Sequence, residues 1–269
     1  MLLSCCSTEA ASVRWLRNDL PPLYIVQGPS AGTGIVDKVI QFLTEKLPHH
    51  NMSSVYMNPK RFWFEVEQNQ NYCRADAFKT AKRQQIAIFS IPFYFVPPVQ
   101  IVMHHLDWQA LGEPRSMKLS SLLQDNRYHG VITDKASYGK TIDELFRQYE
   151  DRSKVNFTRE TISPQSLFSM INVRRIDYTV ENTMFLDRYL ATAENTDLKK
   201  IKIEEESNFY TVHIACTKNP WGTLVMADFN HVLKRHRMSE DFLDSLRRDG
   251  KLLYEEFYFH HLEEFSTIK

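Results

Sequence analysis

The sequence predicts an α/β protein of two lobes, and three observations carry that expectation. Strand-like and helix-like segments alternate from Val13 to Met103, the pattern of β/α units that build a mostly parallel sheet. The alternation restarts after His104 and runs through a second complete set. Tyr210 to Thr217, YTVHIACT, then comes as an extended segment followed only by helix-like sequence. It must therefore pair back into the earlier sheet. The expected lobes are residues 12–103 with 213–269, and residues 104–212.

Val13 to Ile25 begins as a short strand that Pro21-Pro22 stops, since proline fixes φ and offers no N–H. The loop Gly28 to Gly34, GPSAGTG, precedes a helix with Ile35, Val36, Val39, Ile40, Leu43 and Leu47 at helical spacing, closed by Pro48. A Gly-x-Gly turn before a helix can cradle phosphate, but the longer Gly-x-Gly-x-x-Gly pattern fails after Gly34. A plain loop is the better reading. Ser53 to Met57 reads as a strand, Pro59 to Asn69 as a helix, and Tyr72 to Phe78 as a third strand. Ile86 to Phe89 and Phe93 to Met103 are extended and apolar, interrupted by Pro97-Pro98. In the second set, strands are expected at Tyr128–Thr133, Lys154–Phe157, Ile176–Glu181 and Lys200–Glu204. Helices are expected at Leu119–Leu123, from Ser137-Tyr138-Gly139 through Tyr149, at Ser163–Asn172 and at Met184–Leu190. Gly222 to Phe259 reads as largely helical.

Composition narrows the function classes. A chain of 269 residues with 43% hydrophobic and 25% charged residues is long enough for one large or two medium cores. Lys+Arg 33 against Asp+Glu 33 leaves no net charge. No basic stripe interleaved with aromatics stands out, which argues against nucleic acid as a partner. No apolar run approaches the roughly 20 residues of a membrane helix. Walker loops, nucleophile elbows and Cys/His metal spacings are missing. His49-His50, His104-His105 and His260-His261 are adjacent pairs. Neighbours point apart on a regular element, so no pair is expected to chelate a metal, and no cofactor is expected. Met1 to Ala11, MLLSCCSTEAA, is too short for a signal peptide but reads like the tail of one, with small residues at Thr8 and Ala10. Leu3-Ser4-Cys5 faintly matches a lipoprotein processing site. A start placed too late is preferred over a leaderless cytosolic chain.

Thr80 to Phe93, TAKRQQIAIFSIPF, resembles the segment T-x-x-R followed by F-S-x-P-Y in the type 2 periplasmic solute-binding proteins, in their amino-acid-binding branch, family 3. Ser137-Tyr138-Gly139 before a helix, Val173 to Tyr178 (VRRIDY) and Tyr210 to Lys218 (YTVHIACTK) are similar to that family's later motifs, in the same order. WLRNDLPP, GTGIVDK and ACTKNPWG look like a poorly characterised proteobacterial subgroup of it. The resemblance implies a two-lobed periplasmic-binding-protein-like II fold with hinge crossovers and a ligand cleft between lobes. It also implies a periplasmic monomer that closes on a small-molecule solute for an ABC permease or a membrane sensor. In this fold the return strand lies antiparallel beside the third strand, and with Cys5 and Cys6 assigned to the leader this implies a disulfide between Cys73 and Cys216.

The ligand-binding residues so implied are Asp19, Phe78, Thr80, Arg83, Ser137, Tyr138 and Glu181. Arg83 matches the arginine that clamps a ligand carboxylate, a task that suits a planar guanidinium. The residues themselves leave plainer readings open. Asp19 can cap the proline turn, Thr80 can cap a helix, Tyr138 can be core and Glu181 can be a salt-bridged surface acid. The chain departs from the family where Asp76 and Phe78 replace small hydroxyl residues, and an Asp there is expected to repel a carboxylate. A second reading on the same fold is a cyclohexadienyl-dehydratase-like enzyme, with Glu181 as general acid and Arg83 holding the carboxylate. A third is an orphan ligand sensor.

Overall fold

The structure is a computed structural model, and it describes residues 10–150, 156–194, 196–206, 209–248, 251–252 and 255–268. The leader expected at the N-terminus falls on residues 1–9 and so lies outside the described residues, as does the start of the strand expected from Lys154. The chain divides into two compact units. The first holds residues 10–19, 23–94 and 211–268, and the second Leu20–Pro22 and Phe95–Tyr210.

The first unit opens with β1 (Ser12–Arg17), α1 (Ile35–Lys46), β2 (Asn51–Tyr56), α2 (Pro59–Glu67) and β3 (Cys73–Ala77). A single turn α3 (Arg83–Ile86), β4 (Ala87–Phe89) and β5 (Tyr94–Val96) follow. α1 buries Ile35, Val36, Val39, Ile40 and Leu43, the residues whose period predicts it. Pro59 opens α2 behind the cap Asn58, whose side chain accepts the Arg61 amide at 2.8 Å. The Gly-rich loop is a structural loop. Buried Asp37 accepts Ile25 N at 2.9 Å, Gly34 N at 3.1 Å and Arg17 Nη2 at 2.5 Å. Those amides are therefore engaged by a carboxylate of the chain itself. A side chain at Gly34 would collide with the Leu23 carbonyl, which explains the glycine.

The second unit carries β6 (Gln100–His104), α4 (His105–Ala110), β7 (Ser116–Met117), α5 (Leu119–Leu122), β8 (Gly130–Thr133) and α6 (Lys140–Glu150). It continues with β9 (Phe157–Glu160), α7 (Pro164–Asn172), β10 (Tyr178–Glu181), α8 (Thr183–Leu190) and β11 (Leu198–Ile203). Its six-stranded sheet has the order β7-β11-β6-β10-β8-β9, and β6 alone runs against the other strands. Ile142, Phe146, Tyr149, Leu119 and Leu122 from the helices pack with Ile101, Met103, Tyr178 and Val180 of the strands in one core. The expected boundary after Met103 is thereby corrected. β6 is a central strand of the second sheet, with Ile101, Val102 and Met103 fully buried, so the chain leaves the first unit after Tyr94 and re-enters it at Thr211.

The chain returns as β12 (Tyr210–Thr217) and ends in α9 (Pro220–His236), α10 (Glu240–Leu246), the short β13 (Arg247–Arg248) and β14 (Lys251–Leu252), and α11 (Glu255–Thr267). The β13–β14 pair interrupts a segment expected to be helical. The first sheet has the order β2-β1-β3-β12-β4, with β5 also paired to β12. Its strands β1, β2 and β3 are parallel, and β12 runs antiparallel between β3 and β4. Trp15 of β1 stacks on Phe229 of α9 at 5.2 Å between centroids. Cys73 and Cys216 are directly opposed on β3 and β12 and form a disulfide, with Cα atoms 4.1 Å apart.

Candidate functional site

Each unit gathers chemistry at the C-terminal ends of its parallel strands, the edge where open α/β sheets bind ligands. In the first unit Asp19 follows β1, and Phe78, Thr80 and Arg83 follow β3. In the second, Ser137 and Tyr138 follow β8, and Glu181 ends β10.

The first-unit edge is built around β3. Residues two apart share a strand face, so Arg74 and Asp76 meet in a bidentate pair at 2.8 and 2.7 Å. Both side chains are buried. Asp76 also accepts the Tyr24 hydroxyl at 3.1 Å. Burial first, and then the Asp76 carboxylate, raise the Tyr24 phenol well above its ordinary value. The repulsion expected of Asp76 toward a carboxylate is therefore offset at its source by Arg74. Arg83 stands beside this group. Its guanidinium lies 4.6 Å from the Trp63 ring centroid and donates to the Phe78 carbonyl at 3.0 Å. Thr80 Oγ1 accepts the Arg83 amide at 3.2 Å, so the T-x-x-R spacing closes the turn that leads into α3. Phe78, Thr80 and Arg83 are half-buried. Asp19 is exposed and accepts Val26 N at 3.4 Å across the proline turn.

His213, which sequence reading passes over, explains the Ser-x-Pro turn. Ser90 exchanges bonds with Ile214 through its amide and its hydroxyl. The buried His213 ring sits between the Ser90 carbonyl at 2.8 Å and Thr211 Oγ1 at 2.9 Å. A carbonyl only accepts, so Nδ1 carries the proton and Nε2 accepts from Thr211. Burial pushes this imidazole down to about 4, which keeps it neutral.

In the second unit Ser137 and Tyr138 have structural work. Ser137 Oγ donates to Asp143 Oδ2 at 2.6 Å, and the Tyr138 amide donates to the same carboxylate at 2.8 Å. The Tyr138 ring is 2% exposed inside the core, and its hydroxyl accepts the Thr133 amide at 2.8 Å. Gly139 takes φ +93°, and a side chain there would strike the Tyr210 ring. The Ser-Tyr-Gly motif thus starts α6. Tyr138→Phe should leave the Thr133 amide without its acceptor and cost roughly 1–3 kcal/mol in urea unfolding. An unchanged midpoint would show that another acceptor replaces it.

Glu181 differs from the rest. It is 7% exposed, and among the described residues its one hydrogen bond comes from the Asn182 amide at 2.9 Å. No cation among the described residues pairs with it. Burial raises its carboxyl from 4.5 to about 7 against the lowering effect of that amide. Asn182 is fixed in turn, capping α8 at Met184 N and donating to the Pro97 carbonyl.

The pairs His49-His50 and His104-His105 do not lie within one regular element, and at both the neighbouring rings come together. His49 and His50 sit in the turn between α1 and β2, with ring centroids 4.2 Å apart. His104 ends β6 and His105 starts α4. Each pair joins an aspartate, Asp228 or Asp197, with candidate ligand atoms within 4.8 Å of one another.

No protein-family model and no curated protein matches the chain. Solved structures do. The substrate-binding protein of an amino acid ABC transporter is 16% identical, covers 88% of this chain and 97% of its own, and has a TM-score of 0.65. An ancestral arginine-binding protein bound to arginine is 12% identical, with coverage of 88% and 97% and a TM-score of 0.68. The periplasmic VFT2 domain of Bordetella pertussis BvgS is 16% identical, with coverage of 87% and 91% and a TM-score of 0.63. These likenesses show the fold, the α/β fold of periplasmic binding proteins. No helix among the described residues is long and apolar enough to cross a membrane.

Proposed function

We propose that this protein is an extracytoplasmic solute-binding protein for a small polar solute that carries an amino group and a carboxylate or similar anchor. The observation that carries the reading is Glu181, a buried carboxylate with no cationic partner among the described residues. A charge taken out of water needs a counter-ion or a proton, and a ligand ammonium supplies the counter-ion. Arg83 is the proposed anchor for the carboxylate, held in position by Trp63 and the Phe78 carbonyl. Phe78, Thr80, Asp19 and Ser137 are proposed as further ligand-binding residues. The disulfide supports an oxidising compartment. The solved relatives include an ABC transporter's binding protein and a periplasmic BvgS domain, so both import and sensing fit.

A thermal-shift screen of amino acids, amines and carboxylates tests this reading. A compound with both an amino and an anionic group should raise the melting temperature of the wild type and fail with Glu181→Gln. If only ligands lacking an amino group stabilise the protein, Glu181 does not have this role. Arg83→Ala should weaken the same ligand by roughly 1.5–3 kcal/mol, the range for hydrogen bonds to charged groups, measured by calorimetric titration. Equal affinity in the variant would remove Arg83 from the site.

The raised Glu181 carboxyl favours one second reading, a dehydratase of the cyclohexadienyl type. A carboxyl titrating near neutrality can act as a general acid. Incubation with prephenate or arogenate separates the two readings, since turnover lost in Glu181→Gln would replace the binding-only function with an enzyme.

A further inference from the structure

We propose that His49, His50 and Asp228 form a binding site for one divalent transition-metal ion of the zinc class. The site lies between the α1–β2 turn and α9 in the first unit. It is at the N-terminal end of β2, the opposite end of the sheet from Asp19, Phe78 and Arg83, so it is independent of the proposed solute site. His50 Nε2 lies 2.9 Å and His49 Nε2 3.6 Å from Asp228 Oδ2. Ligand atoms about 2.0–2.2 Å from a tetrahedral zinc are separated by similar distances. Two imidazole nitrogens and one carboxylate oxygen form a donor set suited to zinc, with one position left for water. His49 Nε2 is buried and has no hydrogen-bond partner, an unmet need that a metal would answer. The sites at the two other histidine pairs are weaker. His104 Nδ1 faces the Arg174 guanidinium at 3.2 Å, and that cation opposes a second one, whereas among the described residues His260-His261 belongs to no group of three ligand atoms within 4.8 Å of one another.

Loading has a definite proton consequence. His50 Nδ1 accepts the Ala11 amide at 3.1 Å, so the neutral ring carries its proton on Nε2, directed at Asp228. A metal at Nε2 takes the place of that proton, which moves to Nδ1 and turns the Ala11 amide away. His50 is fully buried at its side chain while His49 and Asp228 are 28% and 22% exposed. The latter two can therefore be changed without opening the core.

Zinc alone, titrated calorimetrically into chelator-treated protein near neutral pH, should bind one ion per chain. Cobalt should give the intense visible band of tetrahedral coordination. His49→Ala and Asp228→Asn should each weaken zinc at least about tenfold and abolish the cobalt band, with circular dichroism unchanged. Asp228→Asn retains an acceptor for the His50 ring, which guards against simple misfolding. No binding to the wild type, or equal binding to both variants, would overturn the site; the second result would assign the ion to other groups of the chain.

Discussion

Glu181→Gln is expected to stabilise the protein by about 3 kcal/mol near pH 8 and to change it little near pH 4. Burial raises the Glu181 carboxyl in the folded state from 4.5 to about 7. Between those values the native state holds a proton that the unfolded chain has released. Stability is therefore complete below pH 4.5, declines as pH rises toward 7, and stays low above it. Each pH unit of that gap is worth about 1.36 kcal/mol, which gives the figure. Glutamine occupies nearly the same volume, can still accept the Asn182 amide, and has no charge to bury. Urea unfolding across the pH range reads the difference directly. Parallel pH profiles for the wild type and the variant would show that Glu181 is solvated or paired. The stabilised variant should also lose an amine-bearing ligand, because the buried charge that burdens the empty fold is the one a ligand ammonium would neutralise. A gain in stability with a loss of function is the signature of a binding residue rather than a packing residue.

Elements set by local period lie where the sequence predicts them, whereas long-range pairings are legible only in part. α1, α2 and α7 lie where their apolar spacing predicts, and the structure adds the caps Asn58 and Ser163 to α2 and α7. The misplaced boundary has a plain cause. Val99 to Met103 is apolar apart from Gln100, and such a run reads the same in either sheet. The Asp76–Arg74 pair was accessible, since the two residues are two apart on one strand. Asp76 alone is a bare charge, whereas Asp76 beside Arg74 is a neutralised one. Tyr138 shows the limit of motif reasoning, because a residue that starts a helix and fills a core recurs in a motif as readily as one that touches a ligand. His50 and Asp228 are separated by 178 positions, and nothing local in the sequence joins them.

Removal of the Cys73–Cys216 bridge is expected to cost roughly 3–5 kcal/mol, the largest effect of any substitution pair considered. The two residues are separated by 143 positions, so the bond closes a long loop in the unfolded chain, and loops of that size lie near the upper end of the entropic gain. That loop contains Phe95–Tyr210, the long segment of the second unit. The bridge also has a local role. The register of β12 on β3 shifts between His213 and Ala215, and the bond fixes the pairing immediately after that irregularity. Both cysteines are fully buried, so reductant should act slowly on the native protein and fully only under denaturing conditions. The double variant Cys73→Ala/Cys216→Ala is the cleaner comparison. Its urea midpoint should fall, and its m-value should rise, because an unfolded chain free of the cross-link exposes more surface. The rise in m separates a lost cross-link from a simple cavity, which would lower the midpoint at constant m. Peptide mapping without reductant should recover the Cys73 and Cys216 peptides joined. Separate peptides, or a wild-type midpoint and m-value matching the double variant, would show that the two thiols are not bonded in solution.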